Sequence, residues 1–202
     1  MPVAYWGNRY YGSNGIENGG DIALGAFGIL FVVWMVTLFP VLGIHQGAQP
    51  IIGYNFGAGH YDRVAKTLRL AIYYVMGLTL IFTAILMVFP EVLLRPFVSG
   101  ENSEAMLALA CRATRIACFL LVAGSVTVVV SGYYQAIGNA RMAIVLTLIR
   151  QIGILVPLLV VMPLFFGLDG MWIALPVTDA LALLVTLLLL RRELARLAER
   201  QL

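Results

Sequence analysis

Gly43-Ile44-His45-Gln46-Gly47-Ala48-Gln49-Pro50-Ile51-Ile52-Gly53-Tyr54-Asn55-Phe56-Gly57-Ala58-Gly59 closes a long apolar run with glycines, amides and a proline. A plain membrane anchor continues in leucine to its end. Amides at membrane depth need hydrogen-bond partners, and glycines four apart let a second backbone approach closely. The stretch therefore reads as the end of one membrane helix packed among others. Asp62-Arg63-Val64-Ala65-Lys66-Thr67-Leu68-Arg69 follows, a basic run suited to a cytoplasmic membrane surface.

Composition agrees. The chain has 202 residues, of which 61% are hydrophobic and 11% charged, with a mean hydropathy of +0.94. A soluble domain carries about a quarter charged residues, so this is an integral membrane protein. Its net charge of +3 is too small to argue for nucleic acid. Runs of about 20 apolar residues mark membrane helices. Five are predicted here: residues 22–44 with a possible continuation to 53, then 70–89, 116–136, 142–166 and 171–190. The expected fold is an all-α, polytopic membrane helix bundle, one membrane domain over residues 1–202. Pro40 and Pro176 predict kinks, Pro90 ends the second span, and Pro157 and Pro163 fall inside the fourth. Residues 99–115 form an amphipathic approach to the third span.

Cations orient the bundle. Arg63, Lys66, Arg69, Arg141, Arg191, Arg192, Arg196 and Arg200 share one side, eight of the 13 Lys and Arg residues. That side is assigned to the cytoplasm, which makes residues 191–202 a cytoplasmic tail. Residues 1–21 become an extracellular or periplasmic tail. This tail lacks the basic-then-apolar order of a secretory leader, and an outside start suggests that upstream helices have been lost or were never in this reading frame.

Two ionisable residues fall deep within the spans. Arg150 lies nine residues from Arg141, about 13 Å inward, and Asp179 lies ten residues from Asp169, about 15 Å inward from the opposite side. In a hydrocarbon core of about 30 Å the two depths nearly coincide. The short Gly167-Leu168-Asp169-Gly170 turn makes their helices antiparallel neighbours. Each charge alone costs about 2.5–3.5 kcal/mol on insertion scales, so an intramembrane Arg150–Asp179 pair is expected, or a polar cavity shared by both. Such a pair can be a structural lock between two helices or a switch that responds to protons or substrate.

His45, Gln46 and Gln49 form a polar patch with helical spacing. It can line a substrate path, or satisfy backbone loosened by Pro50 and the glycines. Gly43/Gly47 and Gly53/Gly57 have the spacing of close helix contacts. Tyr133 and Tyr134 can be interfacial belt residues or aromatic walls of a ligand cavity. Trp34, Phe31 and Phe82 read as packing or lipid contacts. Cys111 and Cys118, seven apart on one predicted helix, read as buried free thiols. His45 and His60 lack further ligands at metal spacing, so no metal site is expected. No nucleophile triad or hydrolytic carboxylate pair is present in the sequence, and enzymatic catalysis is not expected.

The order of motifs resembles the carboxyl-terminal half of the multidrug and toxic compound extrusion (MATE) transporters. The resemblance rests on Asn8 with Gly19-Gly20-Asp21-Ile22-Ala23 and on Gln46-Gly47-Ala48-Gln49-Pro50 through Asn55-Phe56-Gly57-Ala58. Further on it rests on Tyr134-Gln135-Ala136-Ile137-Gly138-Asn139-Ala140, Arg150-Gln151, and Gly167-Leu168-Asp169-Gly170 through Pro176 and Asp179. It covers essentially the whole chain. It implies helices eight to twelve of a twelve-helix, two-lobe fold, with the outer end of helix seven at residues 1–21. It further implies a bacterial cell-membrane location and export of amphipathic or cationic drug-like compounds. No cofactor is implied beyond H+ or Na+ as the coupling ion of the complete transporter. The amino-terminal lobe, where many members keep an acidic coupling residue, has no counterpart here. The third span lacks the carboxylate of sodium-coupled members, which leaves Asp179 as a candidate. The expected partners are the lipid bilayer and a missing amino-terminal lobe or second chain, and the part is expected to be incomplete or inactive alone. A non-transporting scaffold or remnant, and a lipid-linked oligosaccharide flippase relative, are the alternative readings.

Overall fold

The computed structural model describes residues 2–12, 19–99 and 103–199. Met1 and Arg200, and with them the ends of both predicted tails, lie outside the described residues. Among the described residues, nine α-helices account for most of the chain: α1 (Pro2–Gly12), α2 (Gly19–Gly57), α3 (Tyr61–Val88), α4 (Pro90–Leu94), α5 (Ser103–Ala117), α6 (Leu121–Ala136), α7 (Ala140–Leu148), α8 (Val156–Phe166) and α9 (Leu168–Glu199). A 3-10 turn, Arg95–Phe97, follows α4, and a π-helical segment, Ile149–Leu155, joins α7 to α8. Among the described residues, four spans are long and apolar enough to cross a membrane; α5 and α6, bent by 55° at residues 118–120, add a fifth when taken as one span.

The first span is longer than expected. α2 is 39 residues and passes Pro40 and Pro50 without interruption. At helical rise it reaches about 58 Å, well beyond the hydrocarbon core. Its start explains the motif that precedes it. α1 is a helix within residues 1–21, where the resemblance implied the end of one, and it packs on α2 with little space between the backbones. A Cβ at Gly20 would sit 3.1 Å from the Ala4 carbonyl oxygen. The Gly20 amide, one of the orphan donors at a helix start, donates to Asn8 Oδ1 at 2.6 Å.

The third span is broken. α5 is an amphipathic helix in its own right, and α6 begins at Leu121 rather than at residue 116. α6 has 16 residues, about 24 Å, and is buried along most of its length between α2, α3, α7 and α9. Its sequence, Leu121-Val122-Ala123-Gly124-Ser125-Val126-Thr127, shows why: small and hydroxyl-bearing side chains let four neighbours close on one helix. The α7–α8 span is the opposite case, with only 6% of its most apolar window buried, so it lies at the bundle edge. It is fastened to α9 at one end, where a Cβ on Gly170 would overlap the Met162 carbonyl.

Two apolar cores lie one above the other. One joins α1, the first half of α2, α5 and the start of α9 around Ile22, Ala110 and Trp172. The other joins the second half of α2, α3, α6 and α7 around Ile52, Leu68 and Val130. Between them runs a buried polar layer. On α2 it is Thr37, between Val33 and Val41; on α3 it is Thr79; on α6 it is Ser125 and Thr127; on α9 it is Thr178, Asp179 and Thr186. Interhelical hydroxyl contacts knit the layer, Thr79 to Ser125 at 3.3 Å and Thr186 to Thr127 at 3.3 Å. Cys111 and Cys118 are buried free cysteines, as their spacing implied.

The glycine pairs do not all serve the packing expected of them. A Cβ on Gly53 would meet the Ala136 carbonyl oxygen at 3.1 Å, but Gly43, Gly47 and Gly57 have no neighbour within 4 Å. That face of α2 is bare in this bundle.

Candidate functional site

The polar layer opens into a cavity of about 310 Å³ bordered by α2, α3, α6, α9 and the π-helical segment. Its charged wall is the pair foreseen from depth alone. Arg150 donates to Asp179 Oδ1 through both Nε, at 3.1 Å, and Nη2, at 2.7 Å. The side chains are 19% and 8% exposed, respectively. Both donors reach one oxygen, so Oδ2 stands outside the pair. The whole carboxylate faces Gly124, where a Cβ would lie 2.8 Å from Oδ2, 2.9 Å from Oδ1 and 3.0 Å from Cγ, and only a glycine leaves it that room. Arg150 is presented by a π turn, a wide winding that recurs at functional sites. Pro157 follows just after it and has no N–H with which to continue the helical ladder.

A second glycine does the same for histidine. His45 lies against Gly132, whose missing Cβ would overlap the imidazole. Gly124 and Gly132 are eight residues apart on α6, about 12 Å along the axis, so His45 and Asp179 mark two ends of one groove. The Gln49 amide nitrogen lies 3.2 Å from His45 Nε2 and donates to Gln135 Oε1 at 3.3 Å. Gln135 and His45 border the cavity. Gln46 does not; it is exposed on the bare face of α2.

Tyr133 and Tyr134 are corrected by the structure. They are 1% and 3% exposed, stacked edge to face at 5.3 Å in the second apolar core, and neither borders the cavity. The Tyr133 hydroxyl donates to Glu193 at 3.2 Å. Sixty residues separate those partners, so no local pattern announces the contact.

Several site residues escaped the sequence reading. Gln135 stood beside the tyrosines that drew attention instead. Phe31 and Trp34, read as packing or lipid contacts, line a second cavity of about 190 Å³ with Phe27. Their rings are 6.2 Å apart. The Arg150–Asp179 pair, with Gln151, Leu121 and Trp34, borders both cavities and forms the partition between them. The hydroxyls of Thr37 and Thr178 donate to their own helix at Val33 O and Ala174 O, leaving oxygen lone pairs for a ligand. Among the described residues no group of three or more His, Cys, Asp and Glu could hold a metal.

A family model, MatE, matches residues 16–161. The chain belongs to the MatE family. Among curated MatE relatives, the multidrug export protein MepA of Staphylococcus aureus (strain NCTC 8325 / PS 47) is 24% identical over 176 residues, covering 84% of this chain and 37% of MepA. MepA of Staphylococcus saprophyticus is 22% identical over 170 residues with the same coverage. Among solved structures, the MATE multidrug transporter DinF-BH superposes with a TM-score of 0.75 at 33% identity, over 94% of this chain and 39% of that one. An outward-facing MATE transporter of the MOP superfamily reaches 0.84 at 21% identity, over 98% and 42%, and shows the fold. The chain thus spans about two fifths of the length of the relatives it matches. It is a multi-pass membrane protein of a family of transporters.

Proposed function

We propose that this chain is the carboxyl-terminal lobe of a multidrug efflux antiporter of a bacterial cell membrane. The antiporter is driven by protons or sodium, and the lobe exports amphipathic or cationic compounds once an amino-terminal lobe or second chain completes the cleft. The carboxyl terminus faces the cytoplasm. The observation that carries the reading is a polar cavity at mid-depth, walled by an intramembrane charge pair, in a chain that aligns with about two fifths of multidrug exporters. Transporters place substrate sites near the bilayer midplane, where repeats meet. Buried polar layers are costly in lipid and are retained where they line a pathway. Within this reading His45, Gln135 and Asp179 border the path, Gln49 holds the first two, and Asp179 is the carboxylate available to respond to the coupling ion.

The test is efflux from cells lacking their own pumps. The chain alone is expected to leave ethidium retention at the level of the empty vector. The chain fused behind the amino-terminal lobe of MepA is expected to lower retention, and a protonophore or sodium removal to abolish the gain. Efflux by the chain alone at the fused level would refute the need for a second lobe. Retention by the fused chain at the empty-vector level would refute the antiporter reading.

A further inference from the structure

Where α3 begins and α9 ends, the two helices border an open groove of about 410 Å³, apart from the mid-depth cavities. α3 supplies Asp62, Lys66, Arg69 and Leu70 to it, and α9 supplies Leu194 and Ala198. Helical spacing continues each wall into a stripe along its helix. On α3 the stripe runs Asp62, Lys66, Arg69, Leu70, Tyr73; on α9 it runs Ala198, Leu194, Arg191, Leu188, Leu184. Both stripes therefore pass from polar to apolar on the way into the membrane, with Arg69 and Arg191 at the boundary. Leu70, Tyr73, Leu184 and Leu188 are exposed, so their apolar faces are free to meet acyl chains.

The cations of this groove have no partner in the protein. Among the described residues, Lys66, Arg69 and Arg191 make no ion pair, and neither does Asp62. Asp62 belongs to the first turn of α3, where a carboxylate suits the positive end of the helix. It lies seven residues from Arg69, about 10 Å along the axis. Three cations against one carboxylate leave a positive surplus at the membrane boundary. A zwitterionic headgroup brings its own cation and offsets none of that surplus. A free anion offsets it but leaves the apolar half of each stripe without an occupant. An anionic lipid answers both.

We propose that the α3–α9 groove binds an anionic glycerophospholipid, its phosphodiester held by Lys66 and Arg69 with Arg191 beside them, its acyl chains along Leu70, Tyr73, Leu184 and Leu188. A guanidinium grips two phosphate oxygens at once, and the ammonium adds a compact point charge. Bound in this way, the lipid bridges the second span and the last.

The test counts lipid on the full chain. The chain purified in detergent is mixed with equal amounts of dioleoylphosphatidylglycerol and dioleoylphosphatidylcholine, and the lipid it retains is identified by native mass spectrometry. The anionic lipid is expected to be favoured at least roughly tenfold. Excess glycerol 3-phosphate, a headgroup without acyl chains, is expected to displace none of it. Lys66→Gln/Arg69→Gln abolishes the preference. Arg63→Gln/Arg192→Gln removes the same charge from residues outside the groove and keeps it. Ala198→Trp fills the groove at unchanged charge and lowers the anionic lipid retained. Its exposed site keeps it foldable, so it decides if the first double variant does not fold. No retained lipid, equal retention of the two lipids, displacement by glycerol 3-phosphate, equal loss in both double variants, or undiminished retention in Ala198→Trp each overturn the proposal. None of these outcomes depends on efflux by the fused transporter.

Discussion

Arg150 and Asp179 form the contact on which the polar layer depends, and its worth differs from that of other ion pairs in the chain. Either single neutralisation, Arg150→Gln or Asp179→Asn, leaves the partner's charge buried, and each is expected to cost on the order of 3 kcal/mol. The double variant should be no worse than the worse single one, which a double-mutant cycle on thermal melts in detergent measures. Fully additive losses would show that the two residues act independently. Arg112 makes the instructive contrast: it pairs with Asp169, but its side chain is 54% exposed. Arg112→Ala is expected to shift stability by about 0–1 kcal/mol in the same assay. The buried pair was legible in the sequence because helical rise and two flanking charges fix depth without any knowledge of packing. Tyr133 was not, since its partner Glu193 lies a whole span away. Gln135 was missed because an amide at a helix end looks the same whether it serves backbone or cavity.

At the level of elements, glycines on two helices decide how closely the bundle closes. Gly132→Ala would drive a methyl group into the His45 ring and is expected to cost about 1–3 kcal/mol. Because the obstacle is a side chain, His45→Ala in the same background should restore most of the loss. Gly170→Ala meets the Met162 backbone instead, which cannot swing aside. Its loss should be at least as large and no second side-chain truncation should recover it; recovery would place the obstacle elsewhere. Sequence periodicity revealed that these helices exist and in what order, but not their ends. α2 runs on to Gly57, because the helix's neighbours hold it through two prolines. The break before α6 comes from the packing of α5 as a separate amphipathic piece, which a hydropathy run cannot separate from the span behind it.

For the whole molecule, the charge-derived orientation can be checked directly. In a chain whose two cysteines are changed to serine, a cysteine replacing Lys66 is expected to react with a membrane-impermeant maleimide only after the inner face is exposed. One replacing Glu104, whose side chain is 83% exposed, is expected to react in intact cells. The reverse pattern would invert the bundle. The lobe's layered plan, apolar above and below a polar middle, was not visible in the sequence, because Thr37, Thr79, Ser125 and Thr178 lie on four different helices and only folding brings them to one depth.

The edge position of the α7–α8 span also bears on how the lobe is made. Its arginine finds a counter-charge only on the helix synthesised after it, and Gly170 holds the two helices together just past the turn. Until α9 is in place, the α7–α8 span carries an uncompensated charge at about 2.5–3.5 kcal/mol and has little protein around it. The expected course is therefore that α7–α8 and α9 settle in the bilayer as one hairpin, the second helix supplying the counter-charge of the first.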